Sequence, residues 1–250
     1  MGRITDTVKA LLIINILFFL GSQYIGDYAV KLFALWFPEN PNFQLWQIFT
    51  HMFMHADLGH ILFNMFALYM FGSVLEQSLG RERFLFIYFS AGLGAAGLQI
   101  LFSYFNFNEA YEVYLAAGAT PADIQELLLK SAQTNNYYFL NNVAKEYTMS
   151  LTHTYIIPML GASGAIFGVL AAFAILYPNL PLYIMFIPIP IKAKYLIGGY
   201  FALNVFSAVT GITVLGPSNT AYWAHIGGAI IGFIVMWYWK KNQFNQNRWN

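Results

Sequence analysis

Gly161-Ala162-Ser163-Gly164-Ala165-Ile166-Phe167-Gly168 opens an apolar run that continues to Leu176 and stops at Tyr177-Pro178-Asn179. Along that run lipid would meet one side-chain hydroxyl, that of Ser163. A second run opens on Ala224-His225-Ile226-Gly227-Gly228 and carries one imidazole, that of His225. A polar group in hydrocarbon is costly unless it faces the bundle interior and finds partners. Serine with histidine is also the smallest set that gives an activated oxygen nucleophile at neutral pH. Both runs therefore read as packed membrane helices that hold chemistry.

The remainder of the chain supports a membrane reading. Of its 250 residues 58% are hydrophobic and 9% charged, whereas an ordinary soluble domain carries about a quarter charged residues. The absence of cysteine excludes disulfides, thiolate catalysis and Cys-based zinc sites. A net charge of +1 gives no case for nucleic acid as a partner. The first apolar run lacks a small-residue cleavage site and is expected to stay as a signal anchor.

Six apolar segments are expected to cross the bilayer, at about 8–26, 58–76, 84–104, 161–177, 195–213 and 222–239, within one domain covering 1–250. The fold class is thus an all-α polytopic membrane protein. Arg3, Lys9, Arg81, Arg83, Lys192, Lys194, Lys240, Lys241 and Arg248 fall on one side, 9 of the 12 basic residues. By the positive-inside rule that side is cytoplasmic, with both termini. The first outer connection, rich in aromatics and proline, reads as an interfacial segment. The second, about 105–160, is long and acidic, with five acids against Lys130 and Lys145. Within it Thr120 to Ala132 is expected to be helical, Thr120 capping, Pro121 first, and Ile124, Leu127 and Leu128 on one face.

This topology puts Ser163, His225, His60 and Asn64 at one depth, in the outer leaflet. The fourth segment is short, about 25 Å as helix against a hydrocarbon core of about 30 Å. Its head should therefore sit below the outer surface, on the floor of a water-filled cavity open outward. Gly164, Gly168 and Ala172, like Gly228 and Gly232, recur every four residues and allow close helix contact. In such a site Ser163 is the candidate nucleophile and His225 the general base, without an acidic third member nearby in sequence. Packing on an aromatic would orient the imidazole. His60 and Asn64 lie i, i+4 on one helix face and could donate, with the Ser163 backbone N–H, to an oxyanion. His51, His55 and His60 together could also hold a metal, but no carboxylate accompanies them in the HExxH manner. His51 and His55 read better as polar contacts of the cavity wall, so no metal and no cofactor are expected.

These residues resemble those of a rhomboid intramembrane serine protease of the bacterial six-span type. The resemblance rests on Gly161 to Gly168, on His60-Ile61-Leu62-Phe63-Asn64, and on Ala224-His225-Ile226-Gly227-Gly228 with Gly232. Trp46 to His51, Met54-His55, and Glu76 followed by Leu79-Gly80 add to it. It implies cleavage in or beside the transmembrane segment of a single-span protein, through an acyl-enzyme on Ser163. It also implies an inner-membrane location, with transmembrane segments of substrates and the lipid bilayer as partners. Gly161, His55, Phe167 and Gly228 become cavity residues, and the fifth segment with Thr213 to Tyr222 becomes a lateral gate and cap. Three features depart from the pattern. Gln47 stands where the family usually has arginine, Phe167 where a tyrosine often packs beneath the histidine, and the loop between the third and fourth segments is enlarged. The competing reading is a proteolytically silent relative that binds client membrane helices; a channel or transporter would need ionisable residues near the midplane, which the segments lack.

Overall fold

Glu76 fixes where the first helix begins. In the computed structural model, which describes residues 3–134, 136–139, 142–184, 187–214, 216–217 and 220–246, its carboxylate accepts the Val8 N–H at 3.2 Å and the Thr5 hydroxyl. Helix α1 (Asp6–Ile25) has four first-turn amides without intrahelical acceptors. Glu76 takes one of them and ties the start of α1 to the end of the second segment. That segment runs from Leu58 to Leu79 as α4 (Leu58–Ala67), a π-turn (Leu68–Gly72) and α5 (Ser73–Leu79), following the short helices α2 (Asp27–Phe33) and α3 (Gln47–Thr50) of the first connection. Asp57 caps α4, accepting the His60 N–H at 2.8 Å.

Helix α6 (Arg81–Ala116) has 36 residues and runs on well past 104, where the third segment was expected to end. The apolar pattern stops at the edge of the hydrocarbon, but Asn106, Asn108, Glu109 and Glu112 do not stop a helix. Its extension packs with α7 (Pro121–Thr134) and α8 (Lys145–Ile156) around Phe107, Tyr114, Ile124, Leu127, Leu128 and Leu151. Thr120 caps α7 as expected: its hydroxyl accepts the Asp123 N–H at 3.3 Å while Asp123 takes the Thr120 N–H at 2.8 Å. Phe37 of the first connection enters the same cluster, so the insertion is packed onto the first connection.

The centre of the bundle is α9 (Ser163–Leu176), buried nearly all round as an apolar helix without a polar face should be. It packs most extensively against α6 and α11 (Tyr222–Gln246). A methyl on Gly228 would fall on the Gly164 carbonyl oxygen, one on Gly232 on that of Gly168, and one on Gly227 would lie 2.5 Å from the Gly94 oxygen. Backbones in contact at these points explain the small-residue stripes. Lys240 closes the far end of α9, donating to the Ile175 carbonyl at 2.8 Å.

Between α9 and α10 (Ala193–Thr210) the chain forms an antiparallel pair, β1 (Pro181–Ile184) and β2 (Ile187–Lys192), with Leu182 opposite Ile191. This pair is an exception to the expected all-helical chain. Two prolines in β2 are tolerated because a two-stranded ribbon is all edge. Among the described residues α1, Leu58–Leu79 and α6 are each long and apolar enough to cross a bilayer. Exposed apolar side chains such as Leu17, Phe63 and Val209 complete the surface of an integral membrane bundle.

Candidate active site

Ser163 is the first residue of α9, and His225 lies in the first turn of α11. Close contact of the two helices along Gly164, Gly168, Gly228 and Gly232 brings their heads together. The His225 Nε2 stands 2.8 Å from the Ser163 Oγ. The imidazole is buried and lies flat on Phe167, with ring centroids 4.2 Å apart and planes 12° from parallel. Tyr222 meets it edge-on at 6.5 Å. Ser163 itself is partly exposed, so its hydroxyl is reachable while the imidazole beside it is shielded.

The aromatic stack is only part of what holds His225. Its Nδ1 lies 2.8 Å from Oδ1 of Asn204, a buried residue on α10 that the reading of the sequence did not single out. The Asn204 Nδ2 donates to the Tyr200 carbonyl at 2.8 Å, which turns Oδ1 toward the imidazole. An amide oxygen accepts only, so Nδ1 carries the proton and Nε2 is left to accept the Ser163 hydroxyl proton. The signal was the one that found Ser163 and His225: a polar side chain inside an apolar segment.

His60 and Asn64 follow one another by one turn on α4, His60 partly exposed and Asn64 buried. The Ala56 N–H points at His60 Nδ1 from 3.5 Å, leaving the proton on Nε2. Among the described residues the Asn64 Nδ2 has no acceptor. Gly161 lies between His60 and Ser163 with φ +129°. A Cβ there would sit 2.8 Å from His60 Nε2 and 3.6 Å from Ser163 Oγ. The Ser163 backbone N–H, at the positive end of α9, lacks an intrahelical acceptor. The arrangement thus offers N–H donors beside a hydroxyl that faces a neutral imidazole.

The first connection supports this loop from behind. Gln47 is fully buried and donates to the carbonyls of Lys31 at 2.9 Å and Asn42 at 2.8 Å, while accepting the Gln44 N–H at 3.1 Å. The amide, standing where the resemblance expects an arginine, thus ties separate parts of the connection together. His51 Nδ1 bonds to the Gln47 carbonyl at 2.9 Å, and the His51 carbonyl accepts the Gly161 N–H at 2.9 Å. Burial holds the pKa of His51 down at about 4. His55, edge-on to His60 at 5.0 Å, is also held at about 4, by burial and by the nearby His60. Gly228 is a packing residue against Gly164. Part of the Thr213–Tyr222 connection lies outside the described residues. Two clefts, of about 790 Å³ beside Thr5 and Glu76 and about 500 Å³ over α7, lie away from Ser163.

Residues 42–242 match the family model described as the Rhomboid domain. Over 240 residues the chain is 26% identical to RHOMBOID-like protein 12, mitochondrial, of Arabidopsis thaliana, covering 96% of this chain and 60% of that protein. Over 90 residues it is 34% identical to the rhomboid protease GlpG of Salmonella newport, covering 35% of this chain and 32% of that protein. The chain thus spans less than two thirds of the length of either relative.

Proposed function

The chain belongs to the rhomboid family, and from that membership and the site geometry we propose that it is an intramembrane serine endopeptidase acting through Ser163 and His225. The observation that carries this reading is the 2.8 Å approach of His225 Nε2 to Ser163 Oγ, with Nδ1 occupied on the other side of the ring. His225 Nε2 takes the hydroxyl proton as Ser163 Oγ attacks the scissile carbonyl carbon. Negative charge gathers on the carbonyl oxygen, where the Ser163 N–H, His60 Nε2–H and Asn64 Nδ2–H are available to donate. The imidazolium then gives its proton to the leaving amine. Water, activated by the same nitrogen, releases the acyl group. Gly161 leaves room for the carbonyl between His60 and Ser163, and Phe167 holds the imidazole flat.

The substrates in this reading are single-span membrane proteins cut in or next to their transmembrane segment. In this reading hydropathy gives six crossings, the distribution of Lys and Arg puts both termini in the cytoplasm with the site opening outward, and the inner membrane is taken from the family resemblance. A fluorophosphonate probe tests the chemistry. The purified protein should be labelled, and Ser163→Ala and His225→Ala should each lose the label. Equal labelling of wild type and variants would refute the dyad, and an unlabelled wild type would favour a silent client-binding relative.

A further inference from the structure

We propose that Asn204 is a positioning residue for catalysis, which sets the tautomer and ring angle of His225 from the neighbouring helix α10. The inference rests on the protease reading and adds a third member to the pair. Among the described residues neither Asp nor Glu hydrogen-bonds to the imidazole; its Nδ1 contact is an amide oxygen at 2.8 Å. Phe167, beneath the ring, has no hydroxyl to contribute, so stacking fixes the plane but leaves the ring free to turn over about Cβ–Cγ, which exchanges Nδ1 and Cδ2. The Asn204 oxygen removes that freedom. It also decides which nitrogen is basic, because an acceptor at Nδ1 keeps the proton there and leaves the Nε2 lone pair directed at Ser163.

A bland role, an asparagine bridging two membrane helices for stability, accounts for less. The amide is itself locked, since its NH₂ donates to the Tyr200 carbonyl at 2.8 Å, and rotation of the amide would lose that bond. The buried positions of α10 are Ala193, Asn204 and Ser207. Exposed apolar side chains such as Leu203, Phe206 and Val209 cover much of the rest of the helix, and one of its few buried side chains points at the catalytic base. The base is therefore oriented only while α10 is docked. During the reaction the amide dipole faces the charge that develops on the imidazole, which strengthens the contact in the transition state.

The test measures the rate constant for fluorophosphonate labelling of the full chain in micelles across pH, beside the thermal midpoint. Asn204→Ala should lower that constant about tenfold to a hundredfold with a midpoint close to wild type. Asn204→Asp restores an acceptor at Nδ1 and should recover most of the rate. Its carboxylate favours the imidazolium, so the acid limb of its pH profile should move to higher pH by about one unit or more. Wild-type rate and profile in Asn204→Ala would overturn the proposal. So would losses in both variants that track a fallen midpoint with an unmoved profile, the mark of a purely structural contact. A wild type without Ser163-dependent labelling would instead overturn the protease reading beneath it.

Discussion

His225 is gripped on three sides: its face lies on Phe167, its Nε2 meets Ser163 and its Nδ1 meets Asn204. Each contact restricts a different motion, which is what a general base needs if its lone pair is to stay aligned with a hydroxyl. Gly161 makes the complementary contribution of space. At φ +129° an L side chain carries strain of about 1–3 kcal/mol, and its Cβ would lie 2.8 Å from His60 Nε2. Gly161→Ala is therefore expected to cut fluorophosphonate labelling by about a hundredfold, with the helical circular-dichroism signal unchanged. Labelling at the wild-type rate would show that the Gly161 position is not close to the reacting carbonyl. Ser163, His225, His60 and Asn64 were legible in the sequence because each is polar in an apolar setting near a segment head. Asn204 obeys the same rule, but it lies within its segment, and its partner is 21 residues away across a connection. Asn204 was passed over for that reason, and its pairing with His225 could not be read from the sequence.

Among the elements, the stretch from Gln47 to His60 ties the first connection to the loop that carries Gly161. Gln47 anchors the first connection, His51 bonds back to it, and the His51 carbonyl holds the Gly161 N–H. His51 and His55 are buried as neutral rings, both lowered from 6.5 to about 4. The unfolded chain takes up protons on them below about pH 6.5, where the folded chain resists, so folding stability is fullest above that pH. It is lost as pH falls toward about 4, by at most about 1.4 kcal/mol per pH unit for each ring. The thermal midpoint in micelles should accordingly drop between pH 6.5 and 4.5, and drop less in His51→Gln. A midpoint flat over that window would mean the rings are already charged in the fold. Other elements differ in legibility for reasons of chemistry. Helix α7 could be read because Thr120, Pro121 and Asp123 mark its start and Ile124, Leu127 and Leu128 its buried face. The β1–β2 pair was hidden because Pro188 and Pro190 argue against a strand, and only a ribbon with free edges accommodates them. The end of α6 was misplaced because hydropathy marks where lipid ends, whereas the helix continues to Ala116 on tertiary packing.

For the whole molecule, hydropathy made the helical membrane class legible, since each apolar segment must satisfy its own backbone. The outer insertion is joined to the bundle through α6, through Phe37 and through Asn40, whose side chain donates to the Tyr155 carbonyl at 2.7 Å. It is packed on the first connection, whose Leu35 pairs with Met159 just ahead of Gly161. Its acidic character and the basic residues at the opposite ends of the helices predict a single orientation. The chain has no cysteine, so single reporters are unambiguous. Gln125→Cys should react with a membrane-impermeant maleimide from outside intact cells, and Glu82→Cys only after permeabilisation. The reverse pattern would invert the topology and place the site on the cytoplasmic face. The central claim, that Ser163 and His225 together cut peptide bonds within the membrane, is tested most directly by co-reconstituting the protein in liposomes with a single-span reporter and weighing the products by mass spectrometry. Two fragments that meet within or beside the reporter's membrane segment should form with the wild type and be absent with Ser163→Ala. An uncut reporter, or the same fragments from Ser163→Ala, would contradict it.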